Sequence, residues 1–252
     1  MGKNEIYHGL LDFIKKEDIL MDEPMKNHTS FKIGGPADIL VLPRSIEEIN
    51  KTIDLCHKEG MPYFVMGNGS NILVRDKGMR CVVIKIADNL SRVTISGTTV
   101  VAEAGILLST LAKKIMKENL KGFEFASGIP GTLGGAITMN AGAYGGEMKD
   151  VVKSCKVLSE EGKVLDLSLT ELELDYRKSV IQRRNYIVLE VTMELEKGSY
   201  EEIKALTEDL TKRRTTKQPL HLPSAGSTFK RPQGYFAGKL IQDAGLRGKR
   251  IG

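Results

Sequence analysis

Ala126-Ser127-Gly128-Ile129-Pro130-Gly131-Thr132-Leu133-Gly134-Gly135-Ala136 runs on into Met139-Asn140-Ala141-Gly142-Ala143-Tyr144-Gly145-Gly146, which puts eight glycines in the 25 residues from 122 to 146. A flexible linker is rich in Gly and Ser without apolar partners, whereas Ile129, Leu133 and Met139 lie among these glycines. The stretch therefore reads as packed backbone, pressed either against a flat, bulky cofactor or into a crowded turn of its own. An earlier segment, Met66-Gly67-Asn68-Gly69-Ser70-Asn71-Ile72, lies between two β-like runs. Its glycines permit positive φ, and its N–H groups and Ser and Asn side chains can face an anion. The competing reading is a tight hairpin, because Asn-Gly is a strong hairpin signal. A dinucleotide fingerprint would need a third glycine and a following helix, and this segment offers neither. A P-loop is excluded too, since the four Gly-Lys pairs precede Asn4, Val164, Leu240 and Arg250, never Ser or Thr.

Outward from these segments, short β-branched runs alternate with three amphipathic helices. Ser45-Ile46-Glu47-Glu48 forms a capping box, followed by Ile46, Ile49, Ile53 and Cys56 at helical spacing up to Gly60. Leu107, Leu108, Leu111 and Ile115 predict a second helix ending near Gly122. The third opens at Ser199 with Ile203, Leu206 and Leu210 on one face. Strands are expected at Ile39–Leu42, Tyr63–Met66, Ile72–Val74, Cys81–Ile86, Val100–Glu103, Val152–Leu158 and Ile187–Leu195. Strand follows strand from 81 to 105, which points to an α+β fold rather than a doubly wound sheet.

The 252 residues are 41% hydrophobic and 27% charged, ordinary for a globular chain. Apolar runs stay far below the ~18 residues of a membrane helix, and the charged start lacks the apolar core of a signal peptide. Membrane insertion is not expected. Cys56, Cys81 and Cys155 are odd in number and far apart, as in reduced cytosolic proteins. His8, His28, His57 and His221 offer no pair at metal-ligand spacing, so no metal is expected. The net charge of +5 is uneven: residues 211–250 hold ten Lys or Arg and one acid. This basic segment suggests an anionic partner. Nucleic acid is disfavoured, because Pro219, Pro223 and Pro232 interrupt it and no binding motif appears.

Taken in order, Gly-Asn-Gly-Ser-Asn, Gly-Ile-Pro-Gly-Thr-Leu-Gly-Gly-Ala and Asn-Ala-Gly-Ala-Tyr resemble the FAD-binding module of the vanillyl-alcohol-oxidase/PCMH flavoproteins. Within that group the chain is similar to the UDP-N-acetylenolpyruvoylglucosamine reductase (MurB-type) family. Thr29-Ser30-Phe31-Lys32-Ile33-Gly34-Gly35, Asp175-Tyr176-Arg177-Lys178-Ser179 and Pro223-Ser224-Ala225-Gly226-Ser227-Thr228-Phe229-Lys230 carry the likeness, continued by Ala237-Gly238-Lys239-Leu240-Ile241. The resemblance implies a two-lobed PCMH-type module followed by a smaller α/β substrate-binding domain. Its expected divisions are a helical lead-in at 1–29, lobes at about 30–86 and 87–196, and an incomplete domain at 197–252.

The resemblance also implies the chemistry. Hydride passes from NADPH through non-covalently bound FAD to the enolpyruvyl group of a UDP-sugar, in a cytoplasmic step of peptidoglycan precursor synthesis. FAD would be held by Gly67, Asn68, Gly69, Ser70, Asn71, Gly128, Ile129, Pro130, Gly131, Gly134, Gly135, Asn140 and Gly142. Ser227 would be the proton donor and Arg177 would stabilise the intermediate through the substrate carboxylate. Tyr176, Lys217, Gln218 and Lys230 would contact the substrate. A serine hydroxyl can protonate so strong a base as a carbanion, and the arginine fork matches a carboxylate. Where the family has Lys-Asn-Pro, this chain has Lys230-Arg231-Pro232. The family's third catalytic residue, a glutamate, is expected beyond Gly252. Rival readings are another PCMH-type flavin oxidase or dehydrogenase, or a flavin- or nucleotide-binding protein without activity.

Overall fold

The computed structural model describes residues 2–218, 222–224, 226 and 228–250. Helix α1 (Lys3–Leu11) buries Ile6 and Leu10. Beyond it come β1 (Ile19–Pro24), β2 (Pro36–Val41), α2 (Ile46–Lys58), β3 (Tyr63–Met66) and β4 (Met79–Lys85). These strands form a sheet of order β1-β2-β4-β3. β1 runs antiparallel to β2, while β2 and β3 both run parallel to β4. The stretch 1–29 thus holds a strand of the first sheet as well as a helix. Only half of the α2 capping box forms: Ser45 Oγ accepts from the Glu48 amide at 3.1 Å, but the Glu48 carboxylate turns back to the Arg44 amide. Ile49, Ile53 and Cys56 are buried as expected, whereas Ile46, in the first turn, is exposed.

Parallel pairing of β3 with β4 rules out the hairpin reading of residues 67–71, because a two-residue turn joins only antiparallel strands. The expected strand at Ile72–Val74 does not form. Those residues belong to the crossover from the end of β3 back to the start of β4.

After β5 (Val93–Ser96) and β6 (Thr99–Glu103) comes α3 (Leu108–Lys117), which buries Leu108, Leu111, Ala112 and Ile115. It stops short of Gly122 because Asn119 turns left-handed (φ +56°) and Leu120 enters β7 (Leu120–Lys121). The second glycine segment folds into α4 (Leu133–Thr138) and a ribbon of β8 (Gly142–Ala143) and β9 (Gly146–Glu147). Next come β10 (Val152–Leu158), β11 (Val164–Ser168), α5 (Leu169–Leu172), α6 (Val180–Arg183), β12 (Ile187–Glu194) and β13 (Glu196–Lys197), which pairs with β7. The second sheet, β11-β10-β12-β6-β5, is antiparallel throughout. One continuous core joins the sheets, with Ile39, Val41 and Ile84 from the first and Val100, Val157 and Val191 from the second. A smaller cluster on the other face of the first sheet contains Met25, Leu40, Met66, Val74 and Val83. The architecture is α+β.

Helix α7 (Tyr200–Lys217) buries Ile203 and Leu210, but Leu206 is 47% exposed, so the expected apolar stripe is narrower than its spacing suggests. α8 (Ala237–Asp243) buries no residue.

Candidate active site

The two glycine segments, some sixty residues apart in sequence, meet face to face. A Cβ on Gly67 would overlap Thr132 Oγ1, and one on Gly131 (φ +135°) would sit 2.9 Å from Ser70 Oγ. Neither backbone leaves room for a side chain on the side facing the other. The first segment also rests on residues 28–30. A Cβ on Gly69 (φ +62°) would overlap the His28 carbonyl, and Ser30 N–H donates to Gly69 O at 3.1 Å. Ser30 O in turn accepts from the Ser224 amide at 3.0 Å, and Gly226 N–H donates to Ser224 Oγ at 3.1 Å. Three of the motifs quoted above are thereby drawn to one place.

Helix α4 leads from this junction to a second one. Its first residue, Leu133, donates its amide to Ile106 O, and at its far end the Thr138 carbonyl accepts from Ser179 Oγ at 2.7 Å and Gln182 Nε2 at 2.6 Å. These bonds hold the turn 175–178, closed by reciprocal Asp175 and Lys178 backbone bonds. Within it Arg177 has φ +56°, a left-handed backbone that a residue with a Cβ adopts only under constraint. Its guanidinium lies 5.6 Å from the Tyr176 ring centre. Tyr176 is half exposed, and its hydroxyl oxygen accepts from the Arg231 amide at 3.0 Å. The Arg231 guanidinium stacks on Phe236 at 5.5 Å. Beside the turn, Glu173, Asp175, Lys178, Ser179, Gln182 and Arg183 line an open pocket of about 430 Å³.

Residues 37–168 match the FAD binding domain family, and residues 218–252 match the C-terminal domain of UDP-N-acetylenolpyruvoylglucosamine reductase. The reductase of Alkaliphilus metalliredigens (strain QYMF) is 64% identical over all 252 residues, which span 83% of that relative. The chain belongs to the UDP-N-acetylenolpyruvoylglucosamine reductase family. The Clostridioides difficile (strain 630) reductase is 57% identical over 98% of this chain and 82% of its own length. The crystal structure of the Thermus caldophilus reductase superimposes with a TM-score of 0.79 at 35% identity, covering 93% of this chain and 82% of that one. An alkyldihydroxyacetonephosphate synthase, 22% identical with a TM-score of 0.59 over 78% of this chain, shares the fold alone.

As a member of this reductase family, the chain carries an FAD-binding module, and the glycine cradle fits the cofactor. Gly67, Gly69, Gly128 and Gly131 bring bare backbone to the junction, Asn68, Asn71 and Pro130 are exposed, and Ser70, Ile129 and Gly135 border it. Other expected cofactor residues have structural tasks. Gly134 packs on Ala104 and donates to its carbonyl at 2.8 Å, and Gly142 lets β8 cross β9 at Gly146 and Glu147. Asn140 is buried with all its side-chain bonds inside the protein: Nδ2 donates to Glu147 Oε2 (2.8 Å) and Asp175 O (3.3 Å), and Oδ1 accepts from the Lys149 amide (3.0 Å). Its place is to tie the ribbon to the Arg177 turn.

Lys217 is the last residue of α7, with its side chain outside the described residues; Gln218 caps that helix and is exposed, as is Lys230. Ser227 lies outside the described residues. Sequence reasoning missed Arg214, whose Cδ lies 3.2 Å from the position of a Gly128 Cβ and whose guanidinium follows at 3.7 Å. The basic run was its signal, but nothing in the sequence says which of ten cations reaches a glycine loop. Among the described residues, no helix is long and apolar enough to cross a membrane.

Proposed function

We propose that this chain reduces UDP-N-acetylglucosamine enolpyruvate to UDP-N-acetylmuramate, in the cytoplasm, with NADPH as hydride donor. The supporting observation is that one short helix, α4, joins the glycine junction to the Arg177 turn, so that cofactor cradle and carboxylate partner are built on one element. Six residues at ~1.5 Å each make it about 9 Å long. Bound FAD supplies a two-electron hydride carrier. The substrate's alkene gains hydride at one carbon and a proton at its neighbour, and the π electron pair forms the second C–H bond. Arg177 would bind the adjoining carboxylate with two N–H donors, offsetting the negative charge that develops as hydride adds. Tyr176 supports that guanidinium through its ring face and ties the turn to Arg231. Ser227 would deliver the proton. Lys217, Gln218 and Lys230 would bind the UDP moiety, and the 1–29, 30–196 and 197–252 divisions would assign cofactor and substrate to different parts of the chain.

Anaerobic reduction with NADPH should bleach the flavin band, and UDP-N-acetylglucosamine enolpyruvate should restore it. Bleaching without recovery would remove the substrate from this reading, and no NADPH-dependent bleaching would remove the donor.

A further inference from the structure

Beneath the first glycine segment lies a chain of three ionisable side chains that the reaction does not use. Glu23 Oε1 lies 2.9 Å from His28 Nε2, and His28 Nδ1 lies 3.0 Å from Lys85 Nζ. A lysine ammonium can only donate, so Nδ1 must be the accepting nitrogen and Nε2 carries the proton it donates to Glu23. The bridge therefore requires a neutral imidazole in one tautomer. His28 and Glu23 side chains are only 13% and 21% exposed. Lys85 pairs in register with Met66, the residue before Gly67, and the His28 carbonyl is the surface on which Gly69 rests. Strand β1, strand β4 and the 28–30 segment are thus fastened together directly behind the cradle.

We propose that His28 is a positioning residue for FAD: bridged between Glu23 and Lys85, it fixes the backbone of residues 67–71, which would hold the cofactor, and protonation of His28 releases that hold. An imidazolium cannot accept from Lys85 and would face it as a like charge. Burial is the main force keeping His28 below its usual value of 6.5; the Glu23 bond opposes it, and Lys85 and Lys32 add to it. Lys85 is itself lowered, chiefly by burial, and faces Asp88, Lys32 and Glu23. A depressed histidine favours the neutral form in the folded protein. Its contribution is full above 6.5 and is lost as pH falls below that value. FAD binding and proton binding are then mutually antagonistic.

The inference rests on residues 67–71 forming part of the FAD site, and its test is FAD affinity of the apoprotein, followed by flavin fluorescence between about pH 8 and about pH 5. The pyrophosphate and isoalloxazine do not titrate across that range. Wild-type affinity is expected to fall about tenfold over the acid half of the range. His28→Gln, whose amide can donate to Glu23 and accept from Lys85 without titrating, should retain FAD and lose the slope. His28→Leu, which can do neither, should weaken FAD at every pH. Tight binding that is flat with pH in the wild type, or an unchanged slope in His28→Gln, overturns the relay and leaves the glycine assignment standing. A melting temperature that shifts with pH while FAD affinity does not also overturns it, since the triad would then serve stability alone. Absence of FAD binding at any pH overturns both.

Discussion

Two left-handed glycines of nearly equal φ separate backbone freedom from closeness of approach. Gly60 (φ +64°) has nothing within 4 Å of a prospective Cβ, whereas Gly69 (φ +62°) has the His28 carbonyl in that space. Gly60→Ala should cost about 1 kcal/mol of stability, the left-handed penalty alone. Gly69→Ala should cost more and strip the protein of flavin, as thermal melts and the visible flavin absorbance of purified protein would show. Retained flavin in Gly69→Ala would remove residues 67–71 from the cofactor site. Arg177 gives the opposite pairing. Arg177→Gly relieves a left-handed backbone and should raise stability by about 1 kcal/mol, while turnover falls roughly 100-fold, the scale of a misplaced substrate. A variant that is more stable and fully active would deny the guanidinium any role. Burial pushes the Cys56 and Cys155 thiols up to about 12. Neither should react with a thiol reagent near pH 8 until the protein unfolds, which mass spectrometry of alkylated protein would establish.

At the scale of elements, the strong signals in the sequence are those of long amphipathic helices and β-branched runs, and all of these except Ile72–Val74 form, with errors at their ends. What local pattern could not reveal was which side of a helix has a neighbour. On α7, Ile203 is buried, its Cδ1 3.3 Å from the position of a Gly198 Cβ, while Leu206 faces water. Ile203→Ala should therefore cost about 2–4 kcal/mol and Leu206→Ala less than about 0.5 kcal/mol in denaturant titrations; equal losses would mean that a partner covers Leu206. The Asn-Gly dipeptide was ambiguous because hairpins and anion loops need the same positive φ, and only the parallel register of β3 and β4 decides between them. Among the glycines, Gly134 and Gly135 are adjacent in sequence yet serve packing and open surface respectively, a distinction set by the turn after β6 that bears Ala104.

Across the whole molecule, the order of motifs along the chain is legible in the sequence, but their convergence is not. Residues 28–30 touch Gly69 on one side and Ser224 on the other, contacts separated by about 40 and 190 positions that no periodicity encodes. The Glu23, His28 and Lys85 triad was equally hidden, since each is unremarkable where it stands in sequence. Helix α4 has a consequence of another kind. One added residue would rotate Thr138 relative to Leu133 by about 100° and advance it by ~1.5 Å, turning the carbonyl that accepts from Ser179 and Gln182 away from them. The turn that carries Arg177 would lose its anchor while the glycine junction kept its own, so the phase of this single helix, rather than the strength of either contact, keeps the two in step.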